Sequence, residues 1–263
     1  MKNKKCPKCN YTKQWAIRRG KLKCAECRYE WLPDKLPLRL TKRQWQKVIR
    51  FFMLGLSSNK IVTETKTDKR RVLRALNTTR EIMIRDIPEV FEGTVEVDET
   101  YIGGQWKNKR KSERAKGAKR GRGTSKQPVF GILCRSGYVW AKVVPNVEAD
   151  TLLPLIRKRV KRGSIVYSDT WKGYTGVAAK GYVHRFVEHG KGEFSDGKGS
   201  HINGLEGFWG YLKRNLASKG GIRRERLPLY LAEYVWRFNH RNYSIDDQVK
   251  KLLSLLYEKQ YKS

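Results

Sequence analysis

The spacing of apolar and polar residues changes character along the chain. From Thr41 the apolar positions fall at helical intervals. Trp45, Val48, Ile49 and Phe52 follow a T-x-x-Q capping box at Thr41 and Gln44, and the stripe stops at Gly55. Leu56, Ser57 and Ser58 suit the start of a short second helix that carries Ile61 and Val62 inward, and Thr67 and Asp68 suit the cap of a third. That third helix points Val72, Leu73, Leu76 and Met83 towards a core and leaves Lys69, Arg70, Arg71, Arg74 and Arg80 outside.

From about Thr94 the period shortens to two. TVEVDETYIGG, PVFGILCR and GYVWAKVVP read as strands, the last two joined by a turn at Ser136 and Gly137. An amphipathic helix follows across Asp150 to Lys161, and after Gly163 comes a further buried strand, SIVYSD. Three antiparallel strands, a helix and another strand predict a mixed α/β chain with a ribonuclease H-like core. In SHINGLEGFWGYLKRN, Leu205, Phe208, Trp209, Leu212 and Leu216 form the stripe of a helix packed on that sheet. Pro228 opens one more helix, and it and a last one near Asp246 to Tyr257 are expected to close the core. The expected organisation is therefore three modules: residues 1–40, 41–90 and 91–263, the last with a basic insertion at 105–127.

Charge narrows the choice of partner. Among 263 residues, 58 Lys and Arg face 25 Asp and Glu, a formal net charge of +33 spread along the whole chain. A field of that size draws polyanions, so nucleic acid is the expected partner, which the basic helix described below narrows to double-stranded DNA. With 39% hydrophobic residues the chain has enough apolar surface for a core, which excludes wholesale disorder. No run approaches the ~20 apolar residues of a membrane span, and MKNKKCPKCN has no apolar signal region. A cytoplasmic, nucleoid-associated protein without a membrane partner is expected.

Four of the five cysteines, Cys6, Cys9, Cys24 and Cys27, form two C-x2-C knuckles separated by 14 residues. Two such knuckles joined by a hairpin, with Gly20 at its turn, supply the closed sulfur site that structural Zn2+ prefers. Paired disulfides would need an oxidising compartment, which this chain gives no sign of entering. So short a module needs the metal in order to fold. Cys134, in an apolar strand, reads as core. The three helices that follow, the last of them basic, have the order of a trihelical DNA reader, with Lys69, Arg70, Arg71 and Arg74 on the face that would enter DNA.

Acids fall where the apolar patterns would exclude them. In the first long strand Glu96 and Asp98 alternate with Val95 and Val97, and in the later one Asp169 shares a face with Ile165 and Tyr167. An acid at the end of an apolar strand costs desolvation unless a cation or donor meets it. Glu206 sits at the edge of its helix stripe, with Asn203 one turn before and Lys213 two turns after, along one ridge.

VEVDETYIGG, YSDTWKGY and HINGLEGFWGYLKR, in this order, resemble the three signatures of the Merlin-like DDE transposases of bacterial insertion sequences, with 36 residues between Asp169 and Glu206. The resemblance spans roughly Thr94 to Asn242, and the upstream ribbon and helix-turn-helix match the usual layout of that group. It implies that Asp98, Asp169 and Glu206 are catalytic and hold two Mg2+ ions, with Mn2+ as a substitute, for cleavage at terminal repeats and joining of 3′ ends to target DNA. It further implies that Lys213 contacts a phosphate and that His201 or Asn203 orients the substrate. Glu96 and Glu99 compete with Asp98 for the first position, and the motif and the strand end favour Asp98. The basic insertion carries ten Lys and Arg against one acid, so Lys109, Arg110 and Lys111 are expected to hold DNA backbone, with Arg214 beside Lys213. A homodimer or larger synaptic assembly is expected, since two element ends must be held together. A regulator with a dead acidic site and a structure-selective nuclease of the same fold remain as alternatives. A tyrosine recombinase is excluded, because no His is followed by Arg three residues later.

Overall fold

The computed structural model describes residues 5–18, 21–31, 36–104, 111–114, 126–169, 174, 176–186 and 203–259. The chain divides into two compact units, residues 1–85 with 243–263, and residues 86–242. Among the described residues no helix is long and apolar enough to cross a membrane.

The first unit begins with a three-stranded antiparallel ribbon, β1 (Gln14–Ala16), β2 (Leu22–Cys24) and β3 (Glu30–Trp31), in that spatial order. The expected hairpin is the β1–β2 pair; its turn residue Gly20 lies outside the described residues. Three helices follow, α1 (Lys42–Met53), α2 (Ser58–Thr65) and α3 (Lys69–Arg85). Their starts are fixed by side chains that satisfy otherwise orphaned amides. Thr41 Oγ1 accepts from Gln44 N at 3.2 Å while Gln44 Oε1 accepts from Thr41 N at 2.9 Å, which closes the capping box. Ser57 and Asp68 serve α2 and α3 in the same way, through Lys60 N at 3.3 Å and Arg71 N at 3.0 Å. Gly55 ends the α1 segment at φ +80°, where a side chain would be strained.

Three expectations change in this unit. The helix Ile245–Lys259 (α8) packs on α1 and α3 and not on the sheet core, so the trihelical module is a four-helix unit. Its stripe of Val249, Leu252, Leu253 and Leu256 is the same kind of apolar face a sheet helix would present, and periodicity alone cannot name the partner. Arg80 is buried, its guanidinium lying 5.1 Å from the Phe52 ring centre, since a long stem with a flat cation can pack on an aromatic face. Leu73, expected inside, is 43% exposed beside Arg70 and Arg74.

The second unit holds a five-stranded sheet. β4 (Thr94–Ile102), β5 (Gln127–Cys134) and β6 (Val139–Val143) form the expected antiparallel meander. In the connection after β4, one helical turn, α4 (Lys111–Arg114), is described; Lys109 and Arg110 lie outside the described residues. Helix α5 (Ala149–Arg159) then leads to β7 (Ile165–Ser168), which pairs parallel to β4. An edge strand not foreseen from the sequence, β8 (Val183–Phe186), pairs parallel to β7. Its alternation is blurred because Val183 and Phe186 are both largely exposed. Helices α6 (Asn203–Ala217) and α7 (Leu227–Asn239) complete the unit. The sheet order β6-β5-β4-β7-β8, with an antiparallel half and a parallel half, is that of a ribonuclease H-like core.

Strand alternation sorts the sheet into two cores. Val95, Val97, Phe130 and Ile132 pack with Leu152 and Ile156 of α5. On the opposite face Val129, Leu133 and Val139 pack with Leu205, Phe208, Trp209 and Leu212 of α6 and Leu231 and Val235 of α7. Cys134 is buried in the first core, as its strand pattern predicts. The outer strand β6 is closed by Asn239, whose amide accepts from Val139 N at 2.7 Å and donates to Val139 O at 2.8 Å.

Candidate active site and cysteine cluster

The long strand β4 outruns its parallel neighbour. β7 pairs only with Thr94, Val95 and Glu96, so Asp98 lies beyond the last paired residue, and Asp169 directly follows the end of β7. Asp98, in the middle of β4, and Asp169, just past β7, therefore both lie where the parallel pairing of the two strands stops, an opening in the sheet of the kind ligand sites use. The three candidates in EVDE have separate surroundings. Glu96 is buried and its Oε2 accepts from Leu205 N at 3.2 Å, a carboxylate meeting the amide end of α6. Glu99 accepts from Tyr174 OH at 2.7 Å, and Tyr174 belongs to the α5-side core. Asp98 faces α6, where its Oδ2 accepts from Trp209 Nε1 at 2.9 Å.

The close fit of α6 depends on two glycines. Gly131 is the cross-strand partner of Asp98, and a Cβ there would come within 2.6 Å of the Trp209 ring. A Cβ at Gly204 would come within 3.0 Å of Glu96 Oε2 and 3.1 Å of Leu133. Bare backbone at both points lets the helix sit against the strands, which brings the indole to Asp98.

Burial raises the Asp98 carboxyl above its ordinary value. The Trp209 indole and the Glu99 amide favour its ionised form, and the charges of Asp169 and Glu206 push it further up. The three acids of the motif thus share one field. Glu206, in the first turn of α6, is exposed, and Asp169 is half-buried. Lys213 joins the same field: desolvation and the charge of Lys126 lower its ammonium below the ordinary value, while Asp98 opposes them. Hard carboxylate oxygens of this kind fit a divalent cation such as Mg2+. The oxygens of the three acids do not all converge, however. Among the described residues the only group of three or more metal-ligating side chains with their atoms all within 4.8 Å of one another is Cys6, Cys9, Cys24 and Cys27.

The end of β7 is held by a small polar cluster. Buried Ser168 donates through Oγ to Asp169 O at 2.8 Å and lies 2.8 Å from His184 Nε2. Burial lowers the His184 pKa, and its ring packs 4.2 Å from that of Phe186. Neither His184 nor Trp209 was singled out by motif. A buried Trp needs a partner for its N–H, and a lone Gly inside an apolar strand marks a close approach; together those two signals could have found the Trp209–Gly131–Asp98 contact. Lys69, Arg70, Arg71, Arg74, Lys111, Lys213 and Arg214 are all exposed. His201 lies outside the described residues, and Asn203 is the first residue of α6.

The cysteine cluster is built by two like knuckles. In each, the first cysteine amide donates to the carbonyl five residues on, Cys6 N to Tyr11 O at 2.8 Å and Cys24 N to Tyr29 O at 3.0 Å. In each, the residue after the second cysteine is left-handed, Asn10 at φ +60° and Arg28 at φ +60°. Sulfur separations of 3.6 Å for Cys6–Cys27 and 3.5 Å for Cys9–Cys24 are far too long for disulfides. They are near the edge of about 3.8 Å for a tetrahedron with Zn–S bonds of about 2.3 Å. Burial works against the Cys6 thiolate, but the amides of Cys9 and Lys8 and the neighbouring thiols outweigh it and bring Cys6 to about 7. The four cysteines can hold a zinc ion.

A ribonuclease H-like sheet with acids where its parallel pairing stops, accompanied by a four-cysteine ribbon, defines the class: a nucleic-acid-processing chain of the transposase kind. The ISXO2-like transposase domain matches residues 90–239, and the chain belongs to that family. An "Uncharacterized transposase-like protein" of Haemophilus influenzae is 41% identical over 118 residues, covering 45% of this chain and 93% of the relative. Among solved structures, a chain of the "pre-cleavage Mos1 transpososome" aligns over 86% of this chain and 80% of its own, at 12% identity and a TM-score of 0.33. A chain of the "Mos1 Strand Transfer Complex" aligns over 83% and 78%, at 12% identity and a TM-score of 0.29. Those overlaps are too loose to carry the fold, which stands on the strand order.

Proposed function

We propose that this transposase cleaves DNA at the terminal repeats of an insertion sequence and joins the exposed 3′ ends to target DNA, using Asp98, Asp169 and Glu206. The observation that carries this reading is the placement of Asp98 and Asp169 where the β4–β7 pairing stops, with burial first and the charges of Asp169 and Glu206 after it raising the Asp98 carboxyl. A buried carboxyl raised in this way is poised for a cation. Asp98, Asp169 and Glu206 would hold Mg2+, with the exposed Glu206 side chain turning inward to complete the set. The chemistry Mg2+ supplies at such donors is activation of an attacking water or 3′-hydroxyl and stabilisation of the leaving oxygen.

The rest is done by the chain. Trp209 fixes one oxygen of Asp98 and leaves the other for the cation. Ser168 holds the backbone from which Asp169 projects. Lys213, already sensing Asp98, contacts the phosphate next to the bond that breaks, with Arg214 beside it. Lys69, Arg70, Arg71 and Arg74 of α3 bind the repeat, and Lys109, Arg110 and Lys111 hold backbone near the site. His201 and Asn203 orient the substrate. Two copies, one per element end, form the working assembly, and Zn2+ holds the ribbon.

The test uses purified protein, Mg2+ and a labelled duplex carrying the flanked terminal repeat, with Asp98→Ala, Asp169→Ala and Glu206→Ala alongside. Cutting at the repeat end followed by joining, lost in all three variants while DNA binding survives, is the expected result. Tight repeat binding with no cutting or joining would instead make the chain a DNA-binding regulator. Cutting without repeat preference or joining would make it a structure-selective nuclease.

A further inference from the structure

The segment between the ribbon and α1 holds an unusual turn. Leu36 and Leu40 are buried, and between them Pro37–Arg39 makes a single 3-10 turn. Leu38 at φ +62° and Arg39 at φ +52° are both left-handed, a conformation that costs a non-glycine residue energy, and here two such residues are consecutive. The turn is pinned from outside. Trp45 Nε1 donates to Pro37 O at 3.1 Å, and the two flanking leucines anchor its ends in the core. The strain is therefore held by the fold and sets where Arg39 stands.

That place is the rim of a cavity of about 450 Å³ lined by Leu36, Pro37, Leu38, Arg39, Arg71 and Arg74. Arg71 and Arg74, three residues apart, share one face of α3. Three arginines thus line one hollow, and among the described residues no carboxylate is paired with any of them; the nearby Asp68 carboxylate is engaged by the Arg71 amide. Like charges brought together by two separate elements suit an anion with several oxygens, which planar guanidinium forks bind well. On the other flank of α3 a second hollow of about 610 Å³ is lined by Asp68, Lys69, Arg70 and Leu73. The first half of α3 is then a ridge between two cationic hollows. A helix seated in a DNA groove has phosphates along both sides.

We propose that the hollow of Arg39, Arg71 and Arg74 is a phosphodiester site that grips the duplex backbone beside α3, and that the strained 36–40 turn exists to deliver Arg39 to it. This rests on the reading that α3 binds the terminal repeat.

The experiment is a salt series of binding isotherms with full-length, zinc-loaded protein on a labelled terminal-repeat duplex and on an unrelated duplex. Arg39→Gln is compared with Arg39→Lys and with Arg43→Gln, an exposed α1 arginine away from the hollow. Arg39→Gln is expected to weaken binding roughly tenfold on both duplexes and to reduce the slope of log affinity against log salt by about 1. Arg39→Lys should keep the wild-type slope, and Arg43→Gln should fall near wild type. An Arg39→Gln slope equal to wild type, or a loss no larger than that of Arg43→Gln, overturns the site while leaving the repeat-binding reading intact. If the wild type binds neither duplex, both fall together. Inorganic phosphate separates the sources: stabilisation of the wild type by phosphate, lost in Arg39→Gln without any change in duplex affinity, would make this a free-anion site and overturn the DNA assignment. Unchanged circular dichroism and zinc content in Arg39→Gln show that the variant folds.

Discussion

Asp98 gives one oxygen to the indole of Trp209, and that bond is the most specific contact in the acidic site. Trp209→Phe removes the donor together with Cζ2 and Cη2, the part of the indole that lies nearest Gly131. Partners of this kind typically change metal affinity 10- to 100-fold, so half-saturating Mg2+ for cleavage should rise roughly tenfold. Mn2+ binding followed by electron paramagnetic resonance, without DNA, checks the same shift. The field at Asp98 has a second consequence. Its folded pKa lies above the ordinary carboxylate value, so the folded state holds the proton more tightly. That contribution to stability is present at low pH and is lost as pH rises from the ordinary value through the raised one. Asp98→Asn should therefore raise the melting temperature of the metal-free protein at neutral pH, and flatten its pH dependence, even though it abolishes cleavage. A lower melting temperature at neutral pH would show that burial and the neighbouring charges do not raise the Asp98 carboxyl. The acids themselves were legible because an ion in an apolar strand is conspicuous. Trp209 was hidden because it also fits the apolar stripe, and a stripe does not reveal where an N–H points.

The elements meet through backbone as much as through side chains. Buried Glu96 sits at the amide end of α6, the helix that carries Glu206, Trp209 and Lys213. Glu96→Gln retains an acceptor but loses the charge that favours a helix N-terminus, at a cost of about 1 kcal/mol. Glu96→Ala removes the acceptor from a buried amide and should cost about 1–3 kcal/mol. Chemical denaturation of the two variants measures the difference, and equal stabilities would mean that the contact is idle. Gly131→Ala should be worse than either for cleavage, because its Cβ would strike the Trp209 ring at 2.6 Å and move the helix. Helix starts were readable in detail, since Thr41, Gln44, Ser57 and Asp68 each announce a cap. Strand β8 was not, because a short edge strand with two exposed apolar residues lacks alternation. The partner of α8 was also illegible, because an amphipathic stripe specifies that a face is buried and not against which element.

At the scale of the whole molecule, the net charge of +33 and the four cysteines work on different terms. Charge sets affinity for any duplex and is screened by salt, whereas the cysteines hold a module whose buried apolar cluster, among the described residues, is Cys6, Cys24 and Trp31. A strong zinc chelator should release one Zn2+ per chain and unfold the ribbon, while the sheet unit keeps its cooperative melt. Native mass spectrometry with hydrogen exchange reads both, and a ribbon whose protection survives chelation would contradict a structural metal. The most direct test of the central claim replaces the leaving 3′ oxygen at the repeat end with sulfur. Mg2+ is a hard ion that binds sulfur poorly, whereas Mn2+ tolerates it better. The predicted result is that cleavage of the sulfur substrate fails in Mg2+, returns in Mn2+, and is absent in both with Asp98→Ala. Full-rate cleavage of that substrate in Mg2+ or in chelator, or cleavage that survives Asp98→Ala, would contradict metal-assisted chemistry at these carboxylates.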